Sequence, residues 1–175
     1  MLLTGLLPDI STDPAIETAT DSIEAGRSGT IVAPVGIRPP LLAAAASRAA
    51  RPLVVLTATG RDAETLTNAL ASWIPGVAML PAWETLPHER LSPQVDTMAR
   101  RIAVLRRLVH PIKGDDSAGP ISVLVVPIRA FLQPIISGLA DLEPVRVRTG
   151  DVLDLTETTN RLAELGYERV DMVEG

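Results

Sequence analysis

Residues 80–108 read LPAWETLPHERLSPQVDTMARRIAVLRRL. The stretch leaves a short apolar run, crosses a segment carrying Trp83, Pro87, His88 and Pro93, and enters the longest amphipathic pattern of the chain. Prolines fix φ and remove amide donors, so this connection is no central strand and reads as ordered and extended. Ser92-Pro93 is a good helix start, because Ser caps and Pro is tolerated in the first turn. On that helix Met98, Ile102, Leu105 and Val109 fall on one side, with Asp96, Arg100 and Arg107 on the other. A tryptophan in a proline-braced loop ahead of an arginine-faced helix suits a docking surface better than a reaction centre.

Toward the N-terminus, residues 14–26 predict a helix opened by Asp13-Pro14 and closed by Gly26. Residues 29–34 (GTIVAP) predict a short strand and residues 41–50 an alanine-rich helix. Residues 52–57 (PLVVLT) predict a second strand, apolar throughout, as strands covered on both faces are. A helix from Thr59 buries Ala63, Leu66, Leu70 and Trp73 and stops before Pro75-Gly76. Residues 77–80 give a third strand. Beyond the central helix, residues 110–119 form a polar connector, 121–126 a fourth strand, and 127–136 a short helix interrupted by Pro134. Residues 143–148 alternate apolar with charged, a strand with one wet face. Residues 155–165 predict a helix with Leu155, Leu162 and Leu165 inward, and 167–173 a half-finished strand. Strands alternating with helices imply right-handed crossovers and a mainly parallel sheet, so the fold class is three-layer α/β.

The bulk numbers narrow the function. The chain has 175 residues, enough for one domain or one domain and the edge of a second. Hydrophobic residues make up 46% and aromatic ones 2%, so the core is aliphatic. A net charge of −5 argues against a surface that grips nucleic acid throughout. Cysteine is absent, which removes disulfides and thiolate metal sites. No apolar run reaches the ~18–20 residues of a membrane span, and MLLTGLLPDI lacks the form of a signal peptide. A soluble, cytoplasmic protein with no membrane partner is expected.

Chemistry is sparse. The first strand-to-helix loop, where such folds bind phosphate, holds Gly36, Arg38, Pro39 and Pro40, with one glycine, no lysine and no Ser or Thr for a metal ion. Its three prolines (Pro34 included) remove three amide donors, so a structural turn without bound nucleotide is expected. His88 and His110 are the only histidines, and neither stands at helical spacing from a second ligand. Asp115-Asp116 suits a solvated loop, and no hydrolase or metalloprotease signature is present. No catalytic residue and no metal site are expected. Arg100, Arg101, Arg106 and Arg107 fit either a solvated face, with Asp96 and Arg100 as a weak pair, or an electrostatic contact with nucleic acid or an acidic surface. Trp83 either plugs the sheet end or anchors an interface.

The 80–108 stretch resembles the hallmark segment in the N-terminal module of the bacterial transcription-repair coupling factors. The family pattern is roughly W-E-T-L-P-[YH]-x-x-x-S-P-x-x-D, followed by a helix carrying R-[IL]-x-x-L-x-x-L. Trp83, Glu84, Thr85, Leu86, Pro87, Ser92, Pro93, Asp96, Arg101, Ile102, Leu105 and Leu108 match it. VLVVPIRAFLQPI and VRVRTGDVLDLTETTNRLAELGYERVDMVEG are similar to later passages of these proteins and of the excision-repair protein UvrB. The resemblance covers about residues 29–175.

It implies a degenerate P-loop, helicase-like lobe: residues 1–28 as a helical extension, 29–150 as a UvrB-like α/β domain, and 151–175 as a closing helix and the start of a truncated second domain. It also implies a non-catalytic scaffold in transcription-coupled nucleotide excision repair that supports recruitment of UvrA, mainly through the following domain. Other domains of the same protein are further partners. RNA polymerase and DNA are met through the full-length protein, whose ATP- and Mg2+-dependent translocase motor lies outside these residues. The candidate interaction surface is Trp83, Glu84, His88, Arg90, Asp96, Arg100 and Arg107. Two alternatives are a UvrB-type ATP-dependent damage-binding lobe and a duplex-DNA-binding module using the Arg100/Arg107 face.

Overall fold

The computed structural model describes residues 3–84, 94–115, 117–147, 149–165 and 167. The chain divides into two compact units, Met1–Asp141 and Leu142–Gly175. The first carries the elements α1 (Leu7–Ser11), α2 (Pro14–Glu24), α3 (Arg38–Arg48), β1 (Leu53–Thr57), α4 (Gly60–Ala71), β2 (Val77–Met79), α5 (Val95–Val109), β3 (Val123–Pro127) and α6 (Ile128–Phe131). The second carries α7 (Leu155–Glu164).

The sheet is parallel with strand order β1-β3-β2. Its centre, β3, is buried along its whole length, which its sequence VLVVP foreshadows. Val123 and Val125 meet a core built from Leu7, Ala43, Ala46, Ala63, Leu70 and Ile74. Leu124 and Val126 point the other way, into Ala78, Leu80, Val104, Ile121 and Ala130. Helices therefore cover both faces at β3, and the parallel three-layer α/β plan holds.

Local signals place the helices. Asp13 accepts the amides of Ala15 and Ile16 at 2.9 and 3.3 Å and opens α2 with Pro14 in its first position. Thr59 caps α4 by accepting from the Asp62 amide at 3.1 Å. The alanines of α3 let it lie close on both sides, with Ala43 and Ala46 toward the main core and Ala44 against Ile16 and Ala19 of α2. Arg48 then ties α3 to α2, bonding Thr20 at 2.9 Å, Asp21 at 2.6 Å and Glu24 at 2.7 Å.

Two strand expectations fail for one reason: a strand needs a neighbour. Residues 29–34 have strand composition yet form none, and Val32 is 95% exposed. Residues 143–147 likewise form no strand, and Pro144 removes a ladder donor; Arg148 lies outside the described residues. β1 is half-covered: on the other face Val104 of α5 packs with Ala78 of β2 and Leu124 and Val126 of β3, and α6 is a single turn. Val54 and Leu56 are consequently 51% and 47% exposed. In α7, capped by Asp154 on the Glu157 amide at 2.8 Å, Leu162 and Leu165 are half-buried. Leu155, expected inward, is 82% exposed. The strand expected over 167–173 lies outside the described residues, apart from the coil residue Tyr167.

Gly76 holds the turn into β2 at φ 75°, and a Cβ there would sit 2.8 Å from Ser122 Oγ and 2.9 Å from the Pro120 carbonyl oxygen. Gly76→Ala is expected to cost about 2 kcal/mol or more in urea unfolding, from the left-handed backbone and the clash together. Leu70→Ala is expected to cost about 2–5 kcal/mol in the same assay.

Candidate functional site

The central helix α5 begins after Gln94, whose side chain makes no cap. Its buried residues are Thr97, Arg101, Val104 and Leu105. Of the four apolar residues grouped from the sequence, Leu105 is buried, Ile102 half-buried, and Met98 and Val109 are exposed. The helix is thus turned by about one residue, roughly 100°, from the face that apolar periodicity selects. A polar residue occupies the inward stripe instead.

That residue is Arg101, 1% exposed. One terminal nitrogen donates to the Pro81 carbonyl oxygen at 2.6 Å, and its Cζ lies 4.5 Å from the centre of the Trp83 ring. Burying a charge is costly unless polar contacts replace water. A carbonyl and an aromatic face do so for part of the group, the latter contributing on the order of 2 kcal/mol when desolvated, while Nε is buried without a hydrogen-bond partner among the described residues. Burial pushes the Arg101 pKa down, yet guanidinium starts so high that it stays charged at neutral pH.

The chain around Trp83 is held from two helices. Gln133, just past α6, accepts from the Trp83 amide at 2.8 Å and donates to the Trp83 carbonyl at 3.3 Å. Arg129 of α6 donates to the Glu84 carbonyl at 3.1 Å. The Glu84 carboxylate accepts from the Thr97 hydroxyl. That bond, helped by backbone amides of Glu84 and Gln94 and by the Arg129 charge, holds the Glu84 pKa below the usual carboxylate range.

The structure therefore brings Trp83 and Glu84 together with Thr97, Arg101, Arg129 and Gln133. His88 and Arg90 lie outside the described residues. Asp96 and Arg100 form the expected pair at 2.6 Å on an exposed face, a contact that contributes about 0.3–0.5 kcal/mol at most. Arg107 is half-buried, its Nε donating to the Gly119 carbonyl at 2.9 Å. Thr97, Gln133 and Arg129 escaped sequence reasoning because their partners are backbone groups or side chains 13 to 50 residues away. Arg101 had one signal, its place in the family pattern.

At the loop expected to follow a first strand, a single 3-10 turn, Val35–Ile37, runs into α3 without a strand before it. An anion at a helix N-terminus needs the four amides that lack helical partners. Here Ile37 N already donates to Pro34 at 3.0 Å, Arg38 N donates to Val35, and Pro39 and Pro40 have no N–H. A Cβ at Gly36 would meet nothing within 4 Å, so no close backbone approach requires that glycine. The residues do not fit a triphosphate. Among the described residues no three His, Cys, Asp or Glu side chains gather as a metal site, and no helix is long and apolar enough to cross a membrane.

No family model matches the sequence. Over 147 residues, 82% of this chain, it is 46% identical to the transcription-repair-coupling factors of Mycobacterium bovis and Mycobacterium tuberculosis. The chain is homologous to the transcription-repair-coupling factors. The Escherichia coli factor is 27% identical over 135 residues, 76% of this chain. The chain spans only 12% of the length of the mycobacterial factors and 11% of the Escherichia coli one. The likeness to transcription-repair-coupling factors first read from residues 80–108 thus extends over most of the sequence.

Arg101→Ala is expected to lower unfolding stability by about 2–4 kcal/mol and, in a Trp73→Phe background, to red-shift Trp83 emission. Glu84→Gln tests the carboxylate. Because its folded pKa is depressed, its contribution is present above the unfolded value, about 4.3, and is lost as pH falls through the folded one. The stability gap between wild type and Glu84→Gln should therefore be widest near neutrality and close on acidification.

Proposed function

We propose that this chain is the N-terminal, UvrB-like module of a transcription-repair-coupling factor and acts as a non-catalytic interaction and scaffold domain. Its setting is transcription-coupled nucleotide excision repair in the cytoplasm. There it supports recruitment of UvrA, mainly through the domain that follows, and packs against other domains of the same polypeptide. RNA polymerase and DNA are engaged by the full-length protein, whose ATP- and Mg2+-dependent translocase motor lies elsewhere in its sequence.

The observation that carries the non-catalytic part is the N-terminus of α3. Each of its four amide positions is a proline or is already bonded within the turn. A nucleotide-binding lobe needs those donors free. The docking part is supported by the effort spent on Trp83 and Glu84, whose backbone is fixed by Arg129 and Gln133 while their side chains meet Arg101 and Thr97. The exposed partners available beside them are Asp96 and Arg100.

Calorimetric titration of the 175-residue chain with ATP and Mg2+ is expected to give no saturable binding up to on the order of 1 mM. Micromolar binding would instead favour a UvrB-type ATP-dependent lobe. In a UvrA pull-down, this chain is expected to fail where one extended by the following domain succeeds. Duplex-DNA affinity that falls steeply with salt and with Arg100→Glu plus Arg107→Glu would point to a nucleic-acid module.

A further inference from the structure

The last turns of α3 and α5 meet beside the entries to β1 and β3, around a cleft of about 340 Å³. That is the small end of the roughly 300–1,000 Å³ range of ligand pockets. Ala46, Leu108 and Ile121 are among its apolar walls, its charged residues are Arg51 and Arg107, and no carboxylate lines it. Arg48, Arg100 and Arg161 are each bonded to a carboxylate. Arg51 makes no hydrogen bond among the described residues, and Arg107 uses only its Nε, on the Gly119 carbonyl at 2.9 Å. Two cations therefore border one apolar cleft with their terminal nitrogens unused.

Unused acceptors stand beside them. The carbonyls of Ala46, Arg107 and Leu108 belong to the two helix ends and accept no hydrogen bond among the described residues. A helix C-terminus carries roughly half a negative charge, so the two ends offset about one arginine and leave about one positive charge. Thr97, which meets Glu84, and Arg107 stand ten residues apart, about 15 Å along α5. The cleft is thus a different surface from the one around Trp83.

We propose that this cleft binds a short acidic peptide segment of a partner protein, with one aspartate or glutamate carboxylate held by Arg51 and Arg107 and aliphatic residues on either side of it. The carboxylate supplies the single negative charge that the cleft lacks. Peptide amides supply donors for the free helix-end carbonyls, and the aliphatic neighbours cover Ala46, Leu108 and Ile121. Duplex DNA offers phosphate to the arginines but neither amides for the carbonyls nor an apolar group for the walls. Inorganic phosphate likewise leaves the walls bare.

The test is an NMR titration of the isotopically labelled 175-residue chain. The probe is a pentapeptide blocked at both ends, with glutamate at its centre and a leucine on each side. Saturable shifts are expected at the amides of Ala50, Leu108 and Ser122, with a Kd on the order of 1 mM. Binding should weaken ~10-fold for the glutamine counterpart, and equally for Arg51→Ser, whose Tm should match the wild type because Arg51 is exposed and unbonded. Absence of saturable shifts at those amides up to roughly 10 mM peptide overturns the proposal. So does equal binding of the glutamine peptide, or wild-type binding by Arg51→Ser, since either takes the charge out of recognition. Equal shifts with sodium phosphate or with a short DNA duplex overturn it too, by making the cleft a general anion site.

Discussion

A single buried guanidinium sets the geometry of the second core face. Arg101 takes the inward stripe of α5, and its two partners, the Pro81 carbonyl and the Trp83 ring, both belong to the chain leaving β2. Helix, strand end and tryptophan are thereby fixed in one step. Apolar packing alone tolerates rotation of a helix by part of a turn; a planar cation with a carbonyl and an aromatic face does not. Gln133 and Arg129 extend the same constraint to α6, so the segment after β3 is tied to the segment after β2. The rest of this face, with Val104, Leu124 and Val126, packs around an arrangement already decided by polar contacts.

At the start of α3 the polar groups have been withdrawn instead. Where a nucleotide-binding relative of this plan would leave amides pointing into solvent, α3 starts with two prolines and a 3-10 turn that satisfies what remains. The helix begins well without needing a ligand. An apolar cleft beside it takes the place of a charged one, with Asp62 and Arg38 at its margins.

Much of this was legible beforehand, and the misses have a common physics. α2 and α4 and the strands β1, β2 and β3 follow from caps, prolines and apolar runs, all local signals. So does the poverty of the loop at 36–40, because proline's missing donor is a property of the residue itself. What periodicity could not supply was which polar residue goes inside: Arg101 is buried because Trp83 and Pro81 stand opposite, a tertiary fact. Strand composition at 29–34 was read correctly as composition and wrongly as structure, since pairing depends on a second chain segment. The same limit hides Thr97 and Gln133, ordinary surface residues by type that become ligands of Glu84 and Trp83 only in the fold.

The extreme N-terminal residues are not an appendage. Leu3 donates to the Ser72 carbonyl at 2.6 Å, Thr4 to that of Trp73 at 2.8 Å, and Leu7 sits in the main core beside Leu70, Val123 and Val125. The strand that receives Leu7, β3, begins only at Val123. Until β3 is in place, Leu7 has Ala43, Ala46 and Leu70 beside it but lacks the valines that complete its burial. Packing of the Leu7 core is accordingly expected to be completed only when β3 joins it.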